Sequence, residues 1–446
     1  MPKIAHVLVA SGDPMERTRL DGMFAGEDIG CLMADGAAEV APLARDRRPE
    51  TVLLSGSLGE EALGALIDEL KGDREVTQIP IMLVVSDSSE QIRECCVGQA
   101  VEELVEGPLD EVVILARLRP LIRLATLRAE AGLRIATARD LGRVVEMPER
   151  RAFTQEDCRV LIVGPPGAAV QAITPALGSD LTVDLEADPY RAGAAVERTR
   201  YDALVLVVEA GVKQERSLYL ASHIRHNPSL FNLPVLMIYG DDVLAQPRDA
   251  YRAGASIALP QPVDPGLLRA SLMMLVQRQR LRWWLRGALE LTLSDTARER
   301  GTAAYDTDFL RAHLKRLIAA ARRRDCYLTL AVFSIRNLED IEHRHGPAGA
   351  GLLMTKVADW IAGLVRAEDL TGYLGGPEIC TLLPDTGASL AQIVVHRVSA
   401  VLHHSDFALA EEAQEPIRVW VGGGAASLHD SDSVDDLIER ARANTL

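Results

Sequence analysis

The stretch "RAEDLTGYLGGPEICTLLPDTG", Arg366 to Gly387, holds the residues of this chain best suited to binding chemistry. Arg366 and Asp369 stand three residues apart, and a five-residue spacer, Leu370 to Leu374, leads to the pair Gly375–Gly376. A guanidinium can fork onto a phosphate or another planar pair of acceptors, and a carboxylate can accept from N–H donors. The same two residue types at that spacing also form ordinary surface ion pairs, so the residues alone leave both readings open. After the two glycines come Pro377, Glu378 and Ile379. Glu378 is the one carboxylate at this turn, and Pro377 removes a backbone N–H that a phosphate-cradling turn would use.

Such a turn needs elements on either side to hold it. From Ala304 onward the pattern reads helix, strand "YLTLAVFSI", two helices, the strand-turn-strand "YLGGPEICTLLP", helix, then strand "VWVGGGAAS". This is an α+β arrangement with an antiparallel hairpin centred on Gly375 and Gly376. Upstream, two segments share one rhythm. The first runs through "HVLVASGD" (from His6), "TVLLSGS" (from Thr51), "IPIMLVVSD" (from Ile79) and "ELVEGPLD" (from Glu103). The second runs through "RVLIVGPP" (from Arg159), "ALVLVVEAG" (from Ala203), "LPVLMIYGDD" (from Leu233) and "ASIALPQPVDP" (from Ala255). Short Val/Ile/Leu runs bounded by Gly, Pro, Asp and Ser, with helical stretches between them, predict two doubly wound parallel sheets. Each ends in a long helix, around Asp110 to Arg134 and Asp264 to Leu293. These close their domains and are candidate stalks for dimerisation. Trp283 and Trp284 are adjacent and cannot share one helix face, so one of them is expected to meet another domain or subunit. The expected division is 1–135, a linker 136–157, 158–280, a linker helix 281–303, and 304–446.

Length and composition narrow the function. A chain of 446 residues, 48% of them apolar, accommodates about three cored domains. With 48 Lys and Arg against 64 Asp and Glu the net charge is −16, which argues against nucleic acid as a partner but leaves room for a local arginine pocket around a small anion. Six scattered cysteines without a CxxC pair indicate neither zinc nor disulfides. No signal-peptide pattern or membrane-length apolar run is present, so a reduced, cytoplasmic protein without membrane insertion is expected.

The two βα repeats resemble receiver domains of response regulators, flavodoxin-like modules that take up phosphate on an Asp. Their catalytic positions are replaced. In the first copy the acidic pair falls on Ser11 and Gly12, the acceptor on Ser55, the hydroxyl position on Val85 and the Lys position on Gly107. In the second, Gly164 and Pro165 replace the acidic pair, Val207 or Val208 the acceptor, and Tyr239 and Gln261 the last two positions. Neither copy is expected to be phosphorylated. The order receiver–receiver–third domain is similar to response regulators of the PleD type, whose last domain is a GGDEF (nucleotidyl-cyclase-like) domain. That resemblance implies an enzyme joining two GTP molecules with two metal ions, yet the metal-carboxylate positions fall on Ser334 and Arg336, and the guanine-reading positions on Glu342 and Gly351. Pro377 replaces one acid of the hairpin, Glu378 stays, and "ERGTAAYDT", Glu299 to Thr307, is a reduced entry motif. No metal site and no cyclase activity are therefore expected. In the same family an RxxD motif five residues before the GG pair forms a product site for stacked cyclic di-GMP. Arg366 and Asp369 occupy that register, and Arg397, in "VVHRVS", matches the family's second Arg. The resemblance thus implies a non-catalytic cyclic di-GMP effector acting as a homodimer, with protein partners in cell-cycle control or regulated proteolysis and placement at a cell pole. Residual cyclase activity through Glu378 and a ligand-independent dimeric scaffold are the alternatives.

Overall fold

The computed structural model describes residues 2–98, 100–143, 145, 157–178, 180–209, 214–227, 229–240, 243, 247–293, 302–408 and 416–445. Glu299 to Gly301 of the entry motif and residues 144, 146–156 and 294–301 of the two expected linkers lie outside them.

The first unit comprises β1 (Ala5–Ala10), α1 (Pro14–Gly26), β2 (Ile29–Ala34), α2 (Ala37–Arg47), β3 (Thr51–Ser55), α3 (Glu60–Gly72), β4 (Ile81–Val85), α4 (Glu90–Val97), β5 (Glu103–Glu106) and α5 (Glu111–Asp140). The second repeats the order with β6 (Arg159–Val163), α6 (Ala168–Ala176), β7 (Thr182–Glu186), α7 (Pro189–Arg198), β8 (Ala203–Val208), α8 (Gln214–His226), β9 (Val235–Tyr239), α9 (Pro247–Arg252), β10 (Ile257–Pro260) and α10 (Pro265–Thr292). Both sheets are parallel with strand order 2-1-3-4-5 within each unit, the doubly wound, receiver-like topology expected. Their central strands are buried on both faces, which is why they read as unbroken apolar runs.

The third unit comprises α11 (Thr307–Arg324), β11 (Leu328–Ile335), α12 (Leu338–Leu364), β12 (Leu370–Gly375), β13 (Glu378–Pro384), α13 (Ala388–His403), β14 (Val421–Ser427) and α14 (Val434–Ala443). Its antiparallel sheet has the order β12-β13-β11-β14, an α+β GGDEF-like fold. α12 is two helices joined at a kink at Gly346 (φ 72°), just before Pro347.

The two stalk helices pack on each other within the chain. Leu124, Leu127 and Ala131 of α5 meet Leu281, Leu285 and Leu289 of α10, with Trp284 and Ala367 against the same seam. Trp283 turns the other way, under the Arg200 guanidinium 3.5 Å from its ring centre. One tryptophan therefore serves the seam and the other receiver 2, as the side-by-side placement requires. The third unit also docks on receiver 1. The Lys3 and Tyr327 backbones bond at 3.0 Å, Thr126 donates to Asp385 at 2.7 Å, and Arg324 donates to the buried Glu50 at 3.0 Å.

Candidate functional site

The acceptor end of receiver 1 is a closed hydroxyl cluster. Ser11 Oγ donates to Glu16 Oε2 at 2.6 Å, Ser57 Oγ donates at 3.2 Å, and Ser55 Oγ donates to the same oxygen. Glu16 lies in the first turn of α1, where the helix dipole favours a negative charge. Ser55 also caps the short turn after β3 by accepting from Ser57 N–H at 3.2 Å. Ser55 is 2% exposed. In receiver 2, Val207 is wholly buried, and a Cβ on Gly164 would stand 2.8 Å from the Val207 Cβ. A side chain at the Gly164 position would collide with Val207. Acetyl phosphate with Mg²⁺ should leave the intact mass unchanged. Ser55→Ala should cost about 1 kcal/mol, one of three hydroxyl donors to Glu16. An acid-labile gain of one phosphate in the mass spectrum would overturn the first statement, and a collapse of the melting temperature the second.

In the third unit the positions that the sequence aligns with the metal, guanine and hairpin sites converge. Ser334, Arg336, Glu342, Gly351, Gly376 and Pro377 line one cavity between β11, α12 and the β12–β13 turn. Gly375 (φ 104°) and Gly376 (φ 58°) take backbone conformations that glycine adopts without a Cβ clash, so the hairpin keeps its shape. Ser334 stands opposite Glu378 in the β11–β13 ladder. Glu378 is engaged by Arg442 of α14, whose Nε donates to both carboxylate oxygens at 3.2 and 2.9 Å. Among the described residues no group of three or more His, Cys, Asp or Glu is placed to hold a metal ion.

The turn Arg366–Asp369 joins α12 to β12. Asp369 closes it: its Oδ2 accepts from the Arg366 N–H at 2.9 Å, and its own N–H donates to the Arg366 carbonyl at 3.1 Å. The pair is therefore a backbone-capped turn rather than a side-chain ion pair. The Arg366 side chain is exposed, whereas Asp369 is 8% exposed and its Oδ1 is buried without a partner. Burial first, and then the neighbouring Glu368 charge, push Asp369 up to about 7, against the pull of Arg366 and Arg134. Arg397 on α13 is exposed and donates to the Leu364 carbonyl at 2.8 Å, which puts it beside the same turn.

Sequence spacing missed the residue that props this turn. Arg134 of α5, 4% exposed, donates through Nη2 to the carbonyls of Glu368 at 2.9 Å and Asp369 at 3.0 Å. Its Nε donates to Glu130 at 2.7 Å, and Glu130 also bonds His313 of α11 at 2.8 Å. With Ala367 packed into the α5–α10 seam, the turn rests on both stalk helices.

Residues 301–445 match the family model described as diguanylate cyclase, GGDEF domain. Along 412 residues the chain is 25% identical to the response regulator PleD of Caulobacter vibrioides, covering 91% of this chain and 88% of that protein. Diguanylate cyclase A of Treponema denticola is 24% identical over 154 residues, 34% of this chain and 40% of its own length. The crystal structure of the GGDEF domain of DgcB from Caulobacter crescentus in complex with c-di-GMP aligns at 18% identity and a TM-score of 0.31, over 34% of this chain and 85% of that one. The chain is thus a PleD-like arrangement, two receiver-like domains followed by a GGDEF domain. Among the described residues no helix is long and apolar enough to cross a membrane.

Proposed function

We propose that this protein is a non-catalytic cyclic di-GMP effector whose ligand binds at Arg366, Asp369 and Arg397. The observation that carries the reading is the unpartnered Oδ1 of buried Asp369 next to the exposed Arg366. A buried carboxylate oxygen without a donor is costly, and guanine N1–H and N2–H are donors of the right kind to relieve it. Arg366 and Arg397, both exposed beside this turn, would offer guanidinium groups to the phosphates. The hairpin supports the non-catalytic half of the reading. Pro377 and Ser334 replace the acids, and Glu378, held by Arg442, would have to break an ion pair to bind a metal.

The receivers act as docking modules with closed acceptor sites, and ligand binding changes the surface that partner proteins meet. Within the PleD-type architecture the chain resembles PopA, a cell-cycle regulator. That resemblance implies homodimerisation, placement at a cell pole, and protein partners in regulated proteolysis.

The test is titration of the purified chain with cyclic di-GMP. Binding in the micromolar range, about −8 kcal/mol, is expected. Arg366→Ala should weaken it at least about tenfold through loss of a charge-assisted contact, while Glu378→Ala should change it little. Turnover of radiolabelled GTP by the parent, or an Arg366→Ala variant that binds like the parent, would sink the reading.

A further inference from the structure

A second basin of positive charge lies between the two receivers. α5 of the first and α8, α9 and α10 of the second enclose a cavity whose lining includes six arginines and, among the described residues, no carboxylate. None of Arg366, Asp369 and Arg397 lines it.

The charge there is poorly balanced. Arg278 donates to Glu103 at 2.7 Å, but Arg117 shares that same buried carboxylate, so one acid serves two guanidinium groups. Arg225 spends its N–H groups on the carbonyls of Gly254, Phe231 and Leu233 and on Ser256 Oγ, each at 2.8 Å, and meets no acid there. Among the described residues Arg282 makes one hydrogen bond, Nη1 to the Asn232 amide oxygen at 2.8 Å. Arg123 makes no ion pair or hydrogen bond among the described residues. Burial, followed by repulsion from Arg278, lowers Arg225 and Arg282 to about 10, and burial followed by repulsion from Arg366 lowers Arg123, with Glu368 pulling the other way on Arg282 and Arg123. Arg119 and Arg252 pair with Glu27 and Asp249, so the excess positive charge of the wall rests on Arg123, Arg225 and Arg282, and an anion in the cavity would offset it.

We propose that this cavity binds a small anion carrying a diphosphate group, with the free forks of Arg123 and Arg282 on its oxygens and Arg225 and Arg278 supplying the field behind them. Adjacent phosphates suit two guanidinium groups brought from different helices, because each fork can take one phosphate. Phe231 and Tyr251 on the same wall give a nucleoside base a surface to stack on, so inorganic pyrophosphate and a nucleoside di- or triphosphate share the chemistry. Since α5 belongs to receiver 1 and Arg282 is on α10 of receiver 2, the anion would clamp the two receivers together. No residue of the proposed cyclic di-GMP turn lines the cavity, although the Arg366 and Glu368 charges of that turn act on Arg123.

The experiment uses the full chain in EDTA at fixed ionic strength, titrated calorimetrically with pyrophosphate and separately with GTP, with sodium chloride as control. Saturable binding of one equivalent is expected, weakened about tenfold or more in Arg123→Ala and in Arg282→Ala, and retained in Arg366→Ala, which removes only a remote charge. Tighter binding of GTP than of pyrophosphate assigns the base a role, and equal binding assigns recognition to the diphosphate alone. Binding of neither anion above the chloride control overturns the proposal. So does binding that survives Arg123→Gln, a change that removes no hydrogen bond or ion pair among the described residues. Loss of pyrophosphate binding in Arg366→Ala would move the anion to the turn and overturn it as well, whereas failure of the cyclic di-GMP reading shows only in the cyclic di-GMP titration.

Discussion

Arg134→Met should destabilise the chain by about 3–5 kcal/mol and should also weaken cyclic di-GMP binding, although residue 134 lies in the receiver-1 helix. The stability loss follows from what the guanidinium leaves behind. Glu130, 2% exposed, would keep His313 as its remaining side-chain hydrogen-bond partner, and its Oε2 is already unpartnered. The carbonyls of Glu368 and Asp369 would lose their donor. A cation within 5.7 Å of the Tyr305 ring centre would also go. Binding should suffer because the turn carrying the proposed ligand residues would lose the donor that holds two of its carbonyls. Arg134→Lys should recover only part of either loss, since an ammonium cannot reproduce a planar fork that reaches an acid and two carbonyls together. Urea unfolding and ligand titration of the parent, both variants and Glu130→Gln separate the two effects. Glu130→Gln should lower stability while the turn keeps its donor, and so should bind close to the parent. If Arg134→Met unfolds like the parent, or binds like it while folded, Arg134 has no positioning role.

The link from Arg134 to the turn marks where sequence reading stops. The receivers were legible because strands buried on both faces leave contiguous apolar runs, as in "LVLVV" before Glu209. The hairpin and the Arg366–Asp369 register were legible because a turn and its flanks are contiguous in sequence. Arg134 stands more than two hundred residues before the carbonyls it holds, and backbone acceptors carry no side-chain signature at all. Glu16 was hidden for a related reason. It sits in the helix after the strand whose end carries the expected acidic pair, and only folding brings Ser11, Ser55 and Ser57 onto its carboxylate. The same holds for Arg442 on Glu378, a pairing 64 residues apart, and for the inter-receiver arginines, each unremarkable on its own helix. Trp283 and Trp284 are the intermediate case. Helical geometry dictates that they diverge, but the identity of each partner, Arg200 and the α5–α10 seam, needs the tertiary structure.

Cyclic di-GMP affinity should rise about tenfold between pH 6 and pH 8, and the free protein should lose stability toward the upper end of that range. Both follow from the position of Asp369. Its unfolded carboxyl titrates near 3.8 and its folded one near 7, so between those values the folded chain holds a proton that the unfolded chain has released. The stabilisation linked to that proton is fully present below about 4 and is lost as pH rises through 7, on the order of 4 kcal/mol in all. A ligand whose guanine edge donates to the carboxylate prefers it ionised, so below 7 binding must expel a proton, which costs affinity as pH falls. Above 7 the proton is already gone and the affinity levels off. Asp369→Asn removes the titration, keeps an oxygen for the Arg366 N–H, and presents no ionised acceptor. It should be more stable than the parent at pH 8 and should bind cyclic di-GMP weakly with little dependence on pH. Histidines titrating in the same range would give the variant the parent's slope, so the comparison isolates Asp369. Calorimetric titrations at pH 6, 7 and 8 in buffers of different ionisation enthalpy count the proton directly. A flat affinity in the parent, or an unchanged slope in Asp369→Asn, would show that the buried carboxylate does not face the ligand.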